Sequence, residues 1–247
     1  MLPSLTIHQF PAALEMQPSP FGLKLETWLR IHKLPYEVSF SPTKMGPKGK
    51  VPFMTLGEMC LGDSELIIQM LQQKYEIADE ANLSEQEQAQ GVLIRRLIED
   101  HFYFILVYSR WVDPDGWPDF RNRLFADVPA LVRGMLSRKI QKKVAKYLKD
   151  QGIARHSRNE IYQMADQNLK TLSNLLGDRP YMIADHPTLT DASAYGLLAN
   201  IFYPPTKGPL FTLFQKYPNL TSYCERLKND YWREALRGGG ESPKFTP

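Results

Sequence analysis

The stretch Lys50–Leu71, KVPFMTLGEMCLGDSELIIQML, narrows the possible folds of this chain further than any other window. Proline lacks an N–H, so Pro52 fits the first residue of a strand and not its interior. The apolar runs Phe53–Leu56 and Met59–Leu61 flank Gly57-Glu58, a spacing that predicts a tight hairpin. Asp63 then opens a helix. An X-Pro bond is the one common place for a cis peptide, and in that form Val51 would turn its N–H and C=O outward, free to pair with an extended peptide. Asp63 and Ser64 add a carboxylate, a hydroxyl and unpaired helix-start amides, which together suit a ligand carrying a carboxylate and an amine.

The preceding residues supply the rest of a small sheet. Leu5–Phe10 alternates apolar and polar and is closed by Pro11. Ser19-Pro20 places an N-cap and an N1 proline at the head of SPFGLKLETWLRIHKL, whose Phe21, Leu25, Trp28, Leu29 and Leu34 fall near one helical face before Pro35. Tyr36–Phe40 is a second strand, followed by the loop SPTKMGPKGK. Strand, helix, strand, loop, hairpin and helix make a βαβ unit followed by ββα.

Beyond Tyr75 the polar run EIADEANLS predicts a linker over 77–84, between a domain at 1–76 and an all-helical one at 85–247. Ser84-x-x-Glu87 is a capping box opening a long helix to about Val112, with Leu93, Leu97, Phe104, Tyr108 and Trp111 on its inner face. DPDGWPD breaks it. Helices are expected over Leu124–Lys149 and from Ser157 to Leu176, the latter stopped by Gly177. Thr188-x-x-Asp191 is a further capping box, with Asp in the place usual for Glu or Gln. Leu213–Tyr217, Leu220–Leu227 and Tyr231–Leu236 close the bundle, and the tail GGGESPKFTP is expected to be mobile.

Composition excludes several classes. Net charge is +3 with 23% charged residues, no footprint of a nucleic-acid binder. Two cysteines, Cys60 and Cys224, make no disulfide framework and have no metal-ligand spacing, so no metal is expected and a reducing cytoplasm is the natural compartment. Both thiols are expected to be buried and inert. No run reaches the ~18 apolar residues of a membrane span, and the first ten residues lack a signal-peptide pattern. The basic run RGMLSRKIQKKVAKYLK sets Leu136, Ile140, Val144, Tyr147 and Leu148 against lysines. It reads as a solvated helix face, the alternative being contact with an anionic membrane.

The order VPF, short strands, Asp-Ser and apolar helix resembles the thioredoxin-like, glutathione-binding half of glutathione transferases. The helical remainder and its Thr188–Asp191 box extend the resemblance over nearly the whole chain. SPFGLKLETWLR, GKVPFMTLG and YSRW are similar to the metaxin and failed-axon-connections group and its bacterial relatives. The implied fold is an α/β thioredoxin-like domain followed by an all-α helical bundle. The implied activity is that of a dimeric, cytoplasmic detoxification enzyme, which binds glutathione as co-substrate and transfers its thiolate to a small apolar electrophile. A non-catalytic interaction module and a glutathione-dependent isomerase or peroxidase are the alternatives.

A thiol of pKa near 8.5 is only a few per cent ionised at neutral pH, so such an enzyme must stabilise the sulfur anion. Ser19, at a helix start, is placed for that role, although an N-cap serine before proline explains itself equally well. Many members of the resembling group carry Cys where this chain has Gly22, and SPFG leaves no C-x-x-C pair for disulfide reduction. The resemblance assigns glutathione binding to Val51, Pro52, Asp63 and Ser64, with Lys50 or Lys48 as a point charge for a carboxylate. It assigns Asp100 either to the neighbouring subunit's glutathione or to a surface role. Tyr103, Phe104, Tyr108 and Trp111 either line the second-substrate pocket or are plain core.

Overall fold

The structure, a computed structural model, describes residues 4–14, 16–41, 43–205 and 208–233. Four strands, β1 (Leu5–Gln9), β2 (Glu37–Phe40), β3 (Phe53–Leu56) and β4 (Met59–Gly62), form one sheet in the order β2-β1-β3-β4. β1 runs parallel to β2 and antiparallel to β3, with His8 opposite Phe53, and β3 pairs antiparallel with β4, with Phe53 opposite Gly62. Helix α1 (Pro20–Ile31) makes the β1-to-β2 crossover, and α2 (Ser64–Tyr75) follows the hairpin. The predicted hairpin, its turn at Gly57 (φ +60°) and the cis Val51–Pro52 bond are all present.

Local chemistry sets the helix ends. Ser19 is extended (φ −90°, ψ 119°) and its Oγ accepts the Gly22 N–H, while Pro20 occupies N1. The helix stops at Ile31, so Leu34 lies beyond it, half-buried against the sheet-side core. Phe21 turns away from that core to meet Tyr103. Asp63 caps α2 from a left-handed backbone (φ +91°).

The remainder is helical: α3 (Glu85–Arg96), a π-helical turn (Leu97–Phe102), α4 (Tyr103–Trp111), α5 (Trp117–Leu124), α6 (Ala130–Gln151), a 3-10 turn (Ile153–Arg155), α7 (Arg158–Leu176), α8 (Leu189–Phe202), α9 (Pro209–Phe214) and α10 (Pro218–Tyr231). The two expected capping boxes, at Ser84–Glu87 and Thr188–Asp191, are formed, and Ser157–Glu160 makes a third. DPDGWPD ends α4, but its Trp117 already begins α5, and residues 125–129 separate α5 from α6, so the helical region expected over Leu124–Lys149 starts only at Ala130. The tail GGGESPKFTP, and the part of Tyr231–Leu236 past Arg233, lie outside the described residues.

The π turn corrects the reading of the long helix. Its wider i→i+5 turn shifts the helical phase, so Ile94, Ile98, Phe102 and Ile105 face the core and Leu93 is 70% exposed. Leu97 and Phe104 sit at its margin.

Helix α1 is enclosed. The sheet lies on one side and α8 on the other, with Gly196 so close that a Cβ there would stand 2.5 Å from the Pro20 carbonyl oxygen. Burial of both faces forces the polar side chains of α1 to find partners. Glu26 accepts from Gln9 Nε2 (2.9 Å), Arg30 Nη2 (3.0 Å) and the Tyr36 hydroxyl (3.0 Å). Trp28 packs on the sheet and donates to Asp79.

Candidate functional site

The sheet order brings the sequence-predicted glutathione residues to one end. β1 ends at Gln9 and leads to α1, β3 begins at Phe53 after Val51–Pro52, and β4 ends at Gly62 beside Asp63 and Ser64. Ser19, Val51, Pro52, Asp63 and Ser64 therefore share the edge at which two helices present their N-termini. The positive ends of the two peptide dipoles favour a bound anion there.

The geometry at Ser19 separates its two roles. Its Oγ accepts the Gly22 N–H at 3.3 Å, so the oxygen serves the cap while the hydroxyl proton remains available for donation. The loop before it is held from the helical half. Arg110 Nη1 donates to the Pro18 carbonyl (2.9 Å), and its Nη2 donates to the Asn200 carbonyl (2.6 Å) and Oδ1 (2.8 Å). Asn200 Nδ2 donates in turn to the Gln17 carbonyl (3.3 Å) and the Gly196 carbonyl (2.9 Å). Gln17 Oε1 accepts the Ser19 N–H (3.1 Å), and Gln17 Nε2 donates to the Phe10 carbonyl (2.9 Å). Burial pushes the Arg110 guanidinium down to about 10, against the opposing influence of Tyr103. Its position in YSRW gives that motif a physical role. A Cβ on Gly22 would fall 2.8 Å from Gln9 Oε1 and 3.2 Å from Gln17 Cδ, so SPFG matches its surroundings.

On the peptide-pairing side, the β3 ladder begins at Phe53, leaving Val51 before it. Asp63 Oδ1 accepts the Glu65 and Leu66 N–H groups, and Oδ2 lies 3.8 Å from Lys48 Nζ. Its cap consumes one oxygen and leaves the other facing a cation. Ser64 is buried, and its hydroxyl has no partner among the described residues. Lys50 is exposed and forms no ion pair among those residues.

A buried cation that sequence reasoning missed lies directly behind this edge. Lys24 is 1% exposed, and its Nζ bonds Glu65 Oε2 of α2 (2.5 Å) and Glu99 Oε1 of the π turn (2.7 Å). Ser193 donates to the same Glu99 oxygen (2.7 Å). Arg95 extends the chain to Glu80 (2.9 Å) and Thr190 (2.8 Å), with its Nε 3.6 Å from Glu65. Burial holds the Glu80 carboxyl above its usual range, opposed chiefly by Arg95. A small cavity beside the network is lined by Phe21, Lys24, Glu99, Tyr103 and Ser193. In the sequence Lys24 looks like a solvent-facing residue of an amphipathic helix, and only the second wall made by α8 reveals its burial.

The four aromatic candidates do not converge. Tyr103 packs on Phe21 (4.9 Å) and Phe104 (5.2 Å), and Phe104 reaches Tyr147 (5.9 Å), which places this pair next to the start of α1. Burial pushes the Tyr103 phenol up to about 12. Tyr108 instead meets Tyr162 of α7 (6.5 Å), and Trp111 packs with Trp117, Phe120 and Phe125. Tyr103 and Phe104 thus lie beside the start of α1, whereas Tyr108 and Trp111 join helices away from it.

Other expectations resolve plainly. Asp100 is exposed and lies 3.5 Å from Arg96, one helical turn away. His101 pairs with Asn168 (2.9 Å), not with Asp100. Cys60 is exposed on β4, which corrects its expected burial; Cys224 is buried, and burial pushes its thiol well up. Among the described residues no group of three or more His, Cys, Asp or Glu side chains is arranged to hold a metal ion.

A βαβ-ββα sheet with an acidic-Ser helix start after a cis-proline hairpin, backed by a helical bundle, defines a thioredoxin-like transferase scaffold. The profile described as "Glutathione S-transferase N-terminal domain" matches residues 20–116, and that described as "Glutathione S-transferase, C-terminal domain" matches 165–227. The chain belongs to the glutathione S-transferase superfamily. It is 30% identical over 225 residues to failed axon connections of Drosophila melanogaster, covering 85% of this chain and 54% of that protein. The chain thus spans about half the length of that relative. It is 28% identical to isoprene-epoxide–glutathione S-transferase of Rhodococcus sp. strain AD45, over 86% of this chain and 92% of that one. Human metaxin-2 is 25% identical over 88% and 84%. A Methylobacterium radiotolerans glutathione S-transferase solved with glutathione sulfonate shares the fold at TM-score 0.59 and 18% identity, over 98% of each chain.

Proposed function

We propose that this chain is a glutathione transferase. Glutathione lies along the end of the sheet, its peptide backbone paired with Val51 beside Pro52. Its γ-glutamyl carboxylate takes the Ser64 hydroxyl and N–H at the positive end of the α2 dipole, and its amine takes Asp63 Oδ2, the oxygen that the cap does not use. Lys50 neutralises the remaining carboxylate. The sulfur rests at the start of α1, where Ser19 donates its hydroxyl proton and stabilises the thiolate. The thiol proton leaves to solvent, and the sulfur lone pair attacks an electrophilic carbon held near Tyr103 and Phe104. For an epoxide, the class in the name of the Rhodococcus relative, an S–C bond forms, the ring C–O bond breaks and the alkoxide takes a proton from water.

The observation that carries this reading is the division of labour at Ser19, whose oxygen serves the cap while its proton stays free. Titration calorimetry with glutathione, together with conjugation assays of wild type and Ser19→Ala on 1-chloro-2,4-dinitrobenzene and an epoxide, tests it. Heat on binding and a large loss of rate in the variant are expected. Absence of heat together with an unchanged Ser19→Ala rate overturns the catalytic reading.

A second reading, a non-catalytic interaction module, draws support from failed axon connections and metaxin-2 and from the partial commitment of Asp63 to its own helix. A stoichiometric protein partner with no glutathione bound at millimolar concentration favours it. An isomerase or peroxidase would use the same site, and substrate screening separates it. A homodimer in a reducing cytoplasm completes the proposal, checked by sedimentation and by fractionation of the source cells.

A further inference from the structure

Helix α6 is anchored chiefly through its second half. Leu148 is fully buried, Tyr147 packs near Phe104 and Gln141 donates to the Trp111 carbonyl (3.0 Å). In the first half Ser137 alone is buried, and its hydroxyl bonds back to Gly134 of the same helix. Leu131 is 95% exposed and Met135 71%, with Val132 and Leu136 also open. Positions 131, 135, 138, 139, 142 and 146 recur at helical spacing, so an apolar tip runs into a stripe of Arg138, Lys139, Lys142 and Lys146, flanked by Lys143.

The charge of this helix is out of proportion to the chain. Residues 130–151 carry seven basic residues against one acid, Asp150, whereas the whole chain is only +3, so the remainder is net acidic. Among the described residues only Lys146 has a carboxylate partner, Asp150. Arg133 folds back onto the Val128 and Ala126 carbonyls. Arg138, Lys139, Lys142, Lys143 and Lys149 form no ion pair there. The ordinary way to hold such a run is with i,i+4 acids, and this helix has one.

We propose that α6 docks on an anionic lipid surface, with Leu131 and Met135 inserted among the acyl chains and the basic stripe lying over the headgroups. An exposed apolar tip beside unpaired cations complements a surface that is negative outside and apolar a few ångströms deeper. A second copy of the chain is disfavoured as occupant, because two-fold pairing of this face sets like charges against each other. A purely polyanionic partner leaves the apolar tip without a role. This docking is independent of what happens at Ser19.

The test is co-sedimentation of the full chain with phosphatidylcholine vesicles, with and without phosphatidylserine, at low and high salt. Binding only to the anionic vesicles, falling with salt, is expected. Lys142→Gln with Lys143→Gln should lower the partition coefficient about twenty-five-fold, roughly fivefold for each charge. Leu131→Asp should lower it as well, with the melting temperature of every variant unchanged because these side chains are exposed. Equal partition to neutral vesicles, absence of binding, or binding indifferent to Leu131→Asp but shared with heparin beads would each overturn the assignment.

Discussion

Lys24 and Glu99 meet at 2.7 Å, a contact that joins the second turn of α1 to the π turn of the long helix and, through Glu65, to the first turn of α2. Side chains lean toward the N-terminus of their helix. Lys24 accordingly reaches back to the level at which Ser19 and Ser64 stand, and it fixes the two helix starts relative to each other.

Removing this cation leaves two carboxylates poorly compensated in a dry setting. Lys24→Ala is expected to cost about 3–5 kcal/mol in urea unfolding. Lys24→Ala combined with Glu99→Gln should recover part of that loss, because one of the stranded charges is gone. Additive costs in the double variant would contradict the coupling.

Glycine keeps most of the benefit of an N-cap but lacks the hydroxyl. Ser19→Gly should therefore melt close to wild type, within a few tenths of a kcal/mol, and lose about a hundredfold in conjugation rate, the scale seen when one anion-stabilising donor is deleted. An active Ser19→Gly enzyme would reduce Ser19 to a cap.

Gly196 admits the α1 backbone at close range. Gly196→Ala places a methyl 2.5 Å from the Pro20 oxygen and 3.1 Å from the Lys24 nitrogen. A shift of α1 away from α8 should cost about 1–3 kcal/mol and weaken glutathione affinity, since Ser19 rides on the displaced turn. Calorimetry and melting together check it, and an unaltered Kd would show that the site does not follow α1.

His8 stacks on Phe53 (4.3 Å between ring centres) and shares a 3.0 Å hydrogen bond with Thr55, while its buried Nδ1 has no partner among the described residues. Burial, aided by Lys44, holds its imidazole below the ordinary value of 6.5. Between the folded pKa and 6.5 the unfolded chain binds more protons, so stability rises with pH there and is lost on acidification through that window. Urea midpoints measured across that range should show the slope, and His8→Gln should flatten it. A wild-type curve already flat there would remove this role.

The elements were legible where one local signal decides the outcome: two capping boxes, the Ser19-Pro20 start, the hairpin at Gly57 and the proline before β3. Failures arose where tertiary structure intervenes. Leu93 follows an ideal helical period, but the π turn four residues later breaks that period, and no single residue announces it. Cys60 alternates correctly for a strand, yet β4 is the sheet edge and its outer face is open. The positions of Ser19, Asp63 and Ser64 at helix starts were readable because a local cap marks each of them. The placements of Lys24, Arg110 and Asn200 were not, because the partners across the fold lie 41 to 183 residues away in the chain. Tyr108 and Trp111 share a stripe in the sequence that the fold divides between α7 and α5.

The loop in front of Ser19 takes its bonds from Arg110 and Asn200 of the other half of the molecule. Anyone building chimaeras within this superfamily therefore inherits a rule. Exchanging the helical half alone carries away the donors that seat Pro18 and Gln17, and a working hybrid must move Gln17, Pro18, Arg110 and Asn200 as one set.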